Sequence, residues 1–318
     1  MSNTKGIGQN PGIKFFSKNI MLVVLVALCA VLTIMSPHFL TYRNLMNVLL
    51  QSATMGIVAI GMSYVIITGG IDLSVGSVVA FSAAVGAGAM RAEFPLLLAI
   101  LITLGVATAF GFGQGLLISR LKLPAFIATL GGMSIARGLT MVYLQGRTIP
   151  GLPAELQIVG NGRLFDIIPI AAIIMIILYV IAGYVLKYTT FGRSVYALGG
   201  NREATELSGI NTKNVETLTY GLSGFTAGLG AVILLARLGS AIPTAGDGLE
   251  LDVIGAVVIG GASLSGGRGT ILGTFIGILI LGVLGNGINL LNVDPFFSGV
   301  VRGTVILIAV LIDTLKKK

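Results

Sequence analysis

The sequence predicts an all-α, polytopic transmembrane bundle of about ten helices. Three observations lead there. Hydrophobic residues make up 55% of the 318 and charged residues only 10%, where a soluble domain carries roughly 25% charged to face water. The apolar stretches are long, continuous and non-alternating, which selects helices over a barrel as the way to satisfy every backbone group in lipid. Lys and Arg fall mainly on one side of the stretches. A mean hydropathy of +0.98 agrees, and 46 glycines suit closely packed membrane helices.

The elements follow in chain order. A polar tail, residues 1–18, precedes the first apolar run at 19–36, which lacks a small-residue cleavage pattern and is followed by more spans. Further spans are expected at 45–68, 73–90, 95–118, 123–144, 166–186, 215–236, 249–265, 269–288 and 298–313. Residues 19–318 then form one transmembrane domain, with a long polar loop at about 187–214. Only four residues, Gly69-Gly70-Ile71-Asp72, separate the second and third spans, so 73–90 reads either as a full span or as a re-entrant helix.

With a cytoplasmic N-terminus, 13 of the 20 Lys and Arg lie inside: Lys5, Lys14, Lys18, Arg120, Lys122, Lys187, Arg193, Arg202, Lys213, Arg268 and Lys316 to Lys318. Arg43, Arg91, Arg147, Arg163 and Arg237 lie outside, and Arg137 and Arg302 fall within spans. This is the positive-inside pattern with both termini cytoplasmic. It explains the net charge of +8 without nucleic acid. Gly70-Ile71-Asp72-Leu73-Ser74-Val75 is similar to Gly248-Leu249-Glu250-Leu251-Asp252-Val253. The two lie five spans apart, as in an inverted five-helix repeat.

No enzyme emerges from the residues. The single histidine, His38, and single cysteine, Cys29, make no metal or nucleophile constellation. No P-loop motif occurs, and Gly266-Gly267-Arg268-Gly269-Thr270 lacks its lysine and spacing. Carboxylates inside the spans are too few for a proton relay, so an energy source is expected on another chain. No cofactor is called for.

The loop at 187–214 carries a candidate interaction element. Asn201 suits an N-cap, Glu203 the first turn, and Gly209 the C-terminal left-handed position. Ala204 and Leu207 share a face. The segment Gly199, Gly200, Asn201, Arg202, Glu203, Ala204, Thr205, Glu206, Leu207, Ser208, Gly209 therefore reads as a short exposed helix: either a plain connector or a helix that fits a groove on a cytosolic partner.

Elsewhere, Asp72 and Ser74, followed by Gly76, read either as a helix break near a path or as an N-cap in an interfacial turn. Asp247, Glu250 and Asp252 read as solvated in preference to partner-contacting. Arg137, near mid-span, calls for a buried partner such as backbone carbonyls, whereas Arg302 can reach the interface. Gln51, Ser63, Gln114, Asn286 and Asn289 bond between helices or face a path, the former being commoner.

Several separate stretches resemble one family: Gly69 through Ser77, Pro124 through Leu130, Gly192 through Ile210, Pro243 through Gly246 with Glu250 through Asp252, and Gly260 through Gly267. In that order they resemble the permease subunits of bacterial ATP-binding-cassette importers for pentoses and related sugars, ribose-type permeases most of all. The resemblance implies a non-enzymatic subunit in the bacterial cytoplasmic membrane. It also implies a cytoplasmic ATPase docked on 199–210, an extracytoplasmic sugar-binding protein, and a second permease copy forming a homodimer. A self-contained carrier or channel is the alternative.

Overall fold

The structure is a computed structural model that describes residues 20–294 and positions 297, 299–301, 303, 304, 307 and 311. The predicted tail 1–18, Arg302, Lys316 to Lys318 and most of the expected span 298–313 lie outside the described residues.

Among the described residues the helices are α1 (Ile20–Met35), α2 (Tyr42–Ile67), α3 (Val75–Arg91), α4 (Leu96–Ser119), α5 (Ala125–Leu144), α6 (Ala154–Asn161), α7 (Ile170–Tyr188), α8 (Thr190–Gly200), α9 (Arg202–Leu207), α10 (Thr212–Leu238), α11 (Leu249–Ile259) and α12 (Ile271–Leu290). Six of them, α2, α4, α5, α7, α10 and α12, are long and apolar enough to cross a membrane. Proline sets several starts: Pro95, Pro124, Pro153 and Pro169 immediately precede α4, α5, α6 and α7. Its fixed φ suits a helix entrance, and its missing N–H is one that no intrahelical acceptor would reach. Side chains cap the others near the polar loop, where Thr189, Asn201, Asn211 and Thr270 accept from the N–H groups of Gly192, Ala204, Asn214 and Gly273.

The centre of the bundle is α2 and α10, whose apolar windows are 83% and 72% buried, against 22% for α4 and 28% for α5. These two inner helices run antiparallel at close range. Gly61 lies against Ser223 and Thr226, and Gly230 against Val58. A side chain at Gly61 would strike the α10 backbone, so glycine here sets the helix separation. On its other side α2 meets α12, also antiparallel, through Ser63–Thr274 hydroxyls at 2.7 Å and a buried amide pair. In that pair Asn44 and Asn286 donate to each other at 2.9 and 2.8 Å. Polar pairs of this kind fix register where apolar packing alone would slide.

The third expected span is α3. It runs alongside α5 in the same direction, from Ser77 near Met133 and Ser134 to Gly88 against the Tyr143 ring. At 17 residues it is about 25 Å long. The expected span 249–265 is corrected: α11 stops at Ile259, and 260–270 is a glycine-rich loop with Gly261 at φ 88°. The starts of α3 and α11 sit together, Gly76 against the Gly246 carbonyl and the Glu250 carboxylate, and the two helices leave in opposite directions. Two antiparallel two-residue pairs, Ile149–Pro150 with Ser240–Ala241 and Arg163–Leu164 with Ile168–Pro169, close one end of the bundle around α6. None of these short elements was expected from the sequence.

Candidate functional site: the coupling loop and the helix breaks

The polar loop folds as α8 and α9, and α9 matches the expected segment. Asn201 Oδ1 accepts the Ala204 N–H at 2.9 Å. After Leu207 the chain closes with Gly209, at φ 80°, donating to the Glu206 carbonyl at 3.0 Å. Thr205 is the buried residue of α9. Arg202 reaches Glu216 on α10 with two bonds, 3.1 and 2.6 Å, and Glu206 accepts the Thr212 hydroxyl at 2.6 Å. That hydroxyl, with Arg202 beside it, holds the Glu206 carboxyl below its ordinary range. The helix is thus strapped to the first turns of α10 while Leu207 stays 84% exposed. A large apolar side chain on a short, fixed, otherwise polar helix is what groove recognition requires.

The root of this element is a knot of backbone. Gly199, the penultimate residue of α8, packs directly on the Ile67 carbonyl at the end of α2 and on the Gly267 N–H. Gly267 itself donates to Ile67 at 2.9 Å. Gly266, at φ 82°, is pressed between Gly199 and Gly69. Tyr196 donates to the Gly269 carbonyl at 2.7 Å. No side chain fits among these strands, so the loop touches both helix breaks, 68–74 and 260–270, with no padding. Gly200, by contrast, faces open space.

The first break is organised by Asp72, 2% exposed. Its Oδ1 accepts from the Ser74 N–H at 3.0 Å and the Ser74 hydroxyl at 2.6 Å, and its Oδ2 from the Ser223 hydroxyl of α10 at 2.7 Å. Ser74 also donates to Gln114 of α4 at 3.2 Å, and Thr129 of α5 to the Ile71 carbonyl at 3.2 Å. The side chain of Ser74, at the N-cap position of α3, makes no cap bond. Asp72 closes an Asx turn and bonds the break to α10 through Ser223. The sequence reading missed Ser223. Its only signal was a small hydroxyl in a glycine-rich stretch of a span.

Arg137 is half-buried at 23% exposure instead of fully buried, and it meets loop 243–247. It pairs with Asp247 at 2.6 Å and donates to the Ala245 and Pro243 carbonyls at 3.0 and 3.3 Å. Asp247 is 57% exposed yet paired, so the solvated reading is incomplete, and Glu250 keeps one buried oxygen without a partner among the described residues. A double-mutant cycle of Arg137→Gln and Asp247→Asn is expected to give a coupling of about 0.5–1 kcal/mol, because water screens the exposed partner. Arg137→Gln alone should cost more, since it also leaves two carbonyls unbonded. Thermal unfolding of the four proteins in detergent measures both, and a cycle with no coupling would remove the ion pair as a tie. Ser63, Gln114 and Asn286 bond between helices, whereas Gln51 and Asn289 line a cavity.

Comparison with known proteins gives a consistent picture. The model of a family described as "Branched-chain amino acid transport system / permease component" matches residues 44–310. The ribose import permease protein of Bacillus subtilis is 47% identical over 91% of this chain and 90% of its own length. That of Escherichia coli K12 is 45% identical over 93% of each. The L-arabinose permease of Azospirillum brasilense is 35% identical over 93% of this chain and 87% of its own. No solved structure matches.

Proposed function

This chain belongs to the family of transport-system permease components, in its ribose-type sugar branch, and we propose that it carries ribose or a related pentose across the cell membrane for an ATP-binding-cassette importer. It is a multi-pass membrane protein, and its work is passage, with no bond made or broken in the cargo. ATP hydrolysis belongs to a partner subunit, and cargo delivery to a substrate-binding protein. The family description names amino acids, but the relatives matched over most of both chains whose names state a cargo are sugar permeases, and these support the sugar reading.

The finer reading is ours. Two copies of this chain form the path, ten spans each, with both termini and α9 in the cytoplasm and α3 and α11 at corresponding positions of two inverted halves. The ATPase receives α9 in a groove. Its closure on ATP shifts α8 and α9, and the glycine knot passes that shift to the breaks at 68–74 and 260–270. The path then changes the side to which it opens. Asp72, Ser74 and Gly76 hold the break together through the cycle, and Arg137 holds loop 243–247 against α5.

One observation carries the docking reading: α9 is rigidly strapped to α10 yet presents Leu207 to solvent. The test is affinity capture of the ATPase co-expressed with wild type or with a Glu203→Arg, Leu207→Asp variant. Both positions are exposed, so the variant should insert normally. Wild type is expected to retain the ATPase and the variant to lose at least tenfold. Equal capture would place the docking surface elsewhere.

A further inference from the structure

Neither the knot nor the Asp72 break uses the cavity enclosed by α2, α10, α11 and α12. Its volume is about 410 Å³, and it lies at the end of the bundle where α10 and α12 stop, opposite α9. That is the low end of the range for small-molecule pockets and leaves room for on the order of a dozen waters. Gly246, Gly282 and Gly285 keep part of the wall free of side chains.

We propose that this cavity is a transient station for the neutral sugar cargo within each permease chain, with Arg237, Gln51 and Asn289 as its hydrogen-bonding groups. The inference rests on the importer reading above. Its first support is Arg237. A guanidinium has five N–H donors. Here Nη1 alone is engaged, with the Gln51 carbonyl at 3.4 Å and the Thr54 hydroxyl at 3.5 Å, both at the long limit of a hydrogen bond. The remaining donors have no acceptor among the described residues.

The second support is the sign of the walls. The lining mixes signs, with Arg237 beside Asp252 and beside Asp247, which is already paired with Arg137. Such a wall favours neither an anion nor a cation, whereas a polyol donates and accepts at each hydroxyl. The amides of Gln51 and Asn289 add further donors and acceptors at exposed positions. Ser52, 1% exposed in the wall, has a hydroxyl without a partner among the described residues. The third support is what the lining omits. Among the described residues it contains no aromatic side chain, so these offer a sugar ring no flat apolar face to lie on. Binding is then weak, with a dissociation constant of about a millimolar or above. A station of that strength releases cargo readily, as a conduit must and a receptor need not.

The experiment uses the full chain, purified in detergent without partners, with ribose as the probe at millimolar concentration. Saturation-transfer NMR should show ribose contact in wild type and a loss of at least fivefold in Arg237→Met and in Asn289→Leu. Both variants are then assembled with ATPase and binding protein in vesicles, where ribose import should fall at least fivefold while ATPase capture is unchanged. Should Arg237→Met fail to insert, Asn289→Leu, exposed at the mouth, carries the test. If the wild-type assembly imports ribose but the isolated chain shows no contact and Asn289→Leu imports normally, the station is overturned and the importer reading stands. If the wild-type assembly imports no pentose, the importer reading falls and the station with it.

Discussion

Gly199→Ala should stop transport, whereas Gly200→Ala, one residue on, should leave it near wild type. A methyl group at Gly199 meets the Ile67 carbonyl and, at 2.6 Å, the Gly267 N–H, all of it backbone. Backbone cannot step aside as the end of a flexible side chain can, and overpacking of this kind costs about 1–3 kcal/mol. At Gly200 the same methyl group meets nothing within 4 Å. The two glycines end the same helix, so propensity changes equally in both variants, and only the knot distinguishes them. Since 1.4 kcal/mol is a factor of ten, uptake of labelled ribose by vesicles holding the full assembly should drop about tenfold or more for Gly199→Ala. Capture of the ATPase should persist, because the surface of α9 is untouched. Normal uptake by Gly199→Ala would remove the knot from the path between ATPase and breaks.

The second large effect is expected at Asp72. In Asp72→Ala the Ser74 N–H and the Ser223 hydroxyl lose their acceptor in a buried place, and the Ser74 hydroxyl is left with Gln114 alone. Each buried group left unpaired costs about 1–3 kcal/mol, part of which the hydroxyls recover by rotating to other acceptors. A net loss of about 2–4 kcal/mol follows. Asp72→Asn keeps a carbonyl for Ser74, and its amide can donate to the Ser223 oxygen, so it should recover at least half. Ser223→Ala should cost about 1 kcal/mol. Heating in detergent, with the monodisperse fraction read by size exclusion, ranks the three. If Asp72→Ala survives as well as wild type, the carboxylate does not hold the break.

Much of the helical layout was legible in the residues. The expected spans 95–118, 123–144 and 215–236 correspond to Leu96–Ser119, Ala125–Leu144 and Thr212–Leu238. Proline or charge bounds each apolar run, and both act locally. The same approach ran past the end of α11, because Gly260 and Gly261 do not interrupt an apolar run even where the backbone turns left-handed. The short helix α9 was legible for the same local reasons, as Asn201 and Gly209 write its two ends. The partners of the break were not. Asp72 and Ser223 are 151 positions apart, and nothing in either neighbourhood names the other. The contrast between Gly199 and Gly200 was equally hidden, since two adjacent glycines read alike until the chain across from them is known.

One helix links the two regions proposed to act at opposite ends of the molecule. Its first turns hold Glu216, to which α9 is strapped, and its last turn holds Arg237, at the cavity wall. With 27 residues it is about 40 Å long. It therefore works as a lever arm: a tilt of about 3° about its strapped end carries the far end through about 2 Å, on the length given by its rise per residue. That displacement is enough to break or make a hydrogen bond, so, on the proposed roles of α9 and the cavity, small angular play at one end would change the grip on cargo at the other.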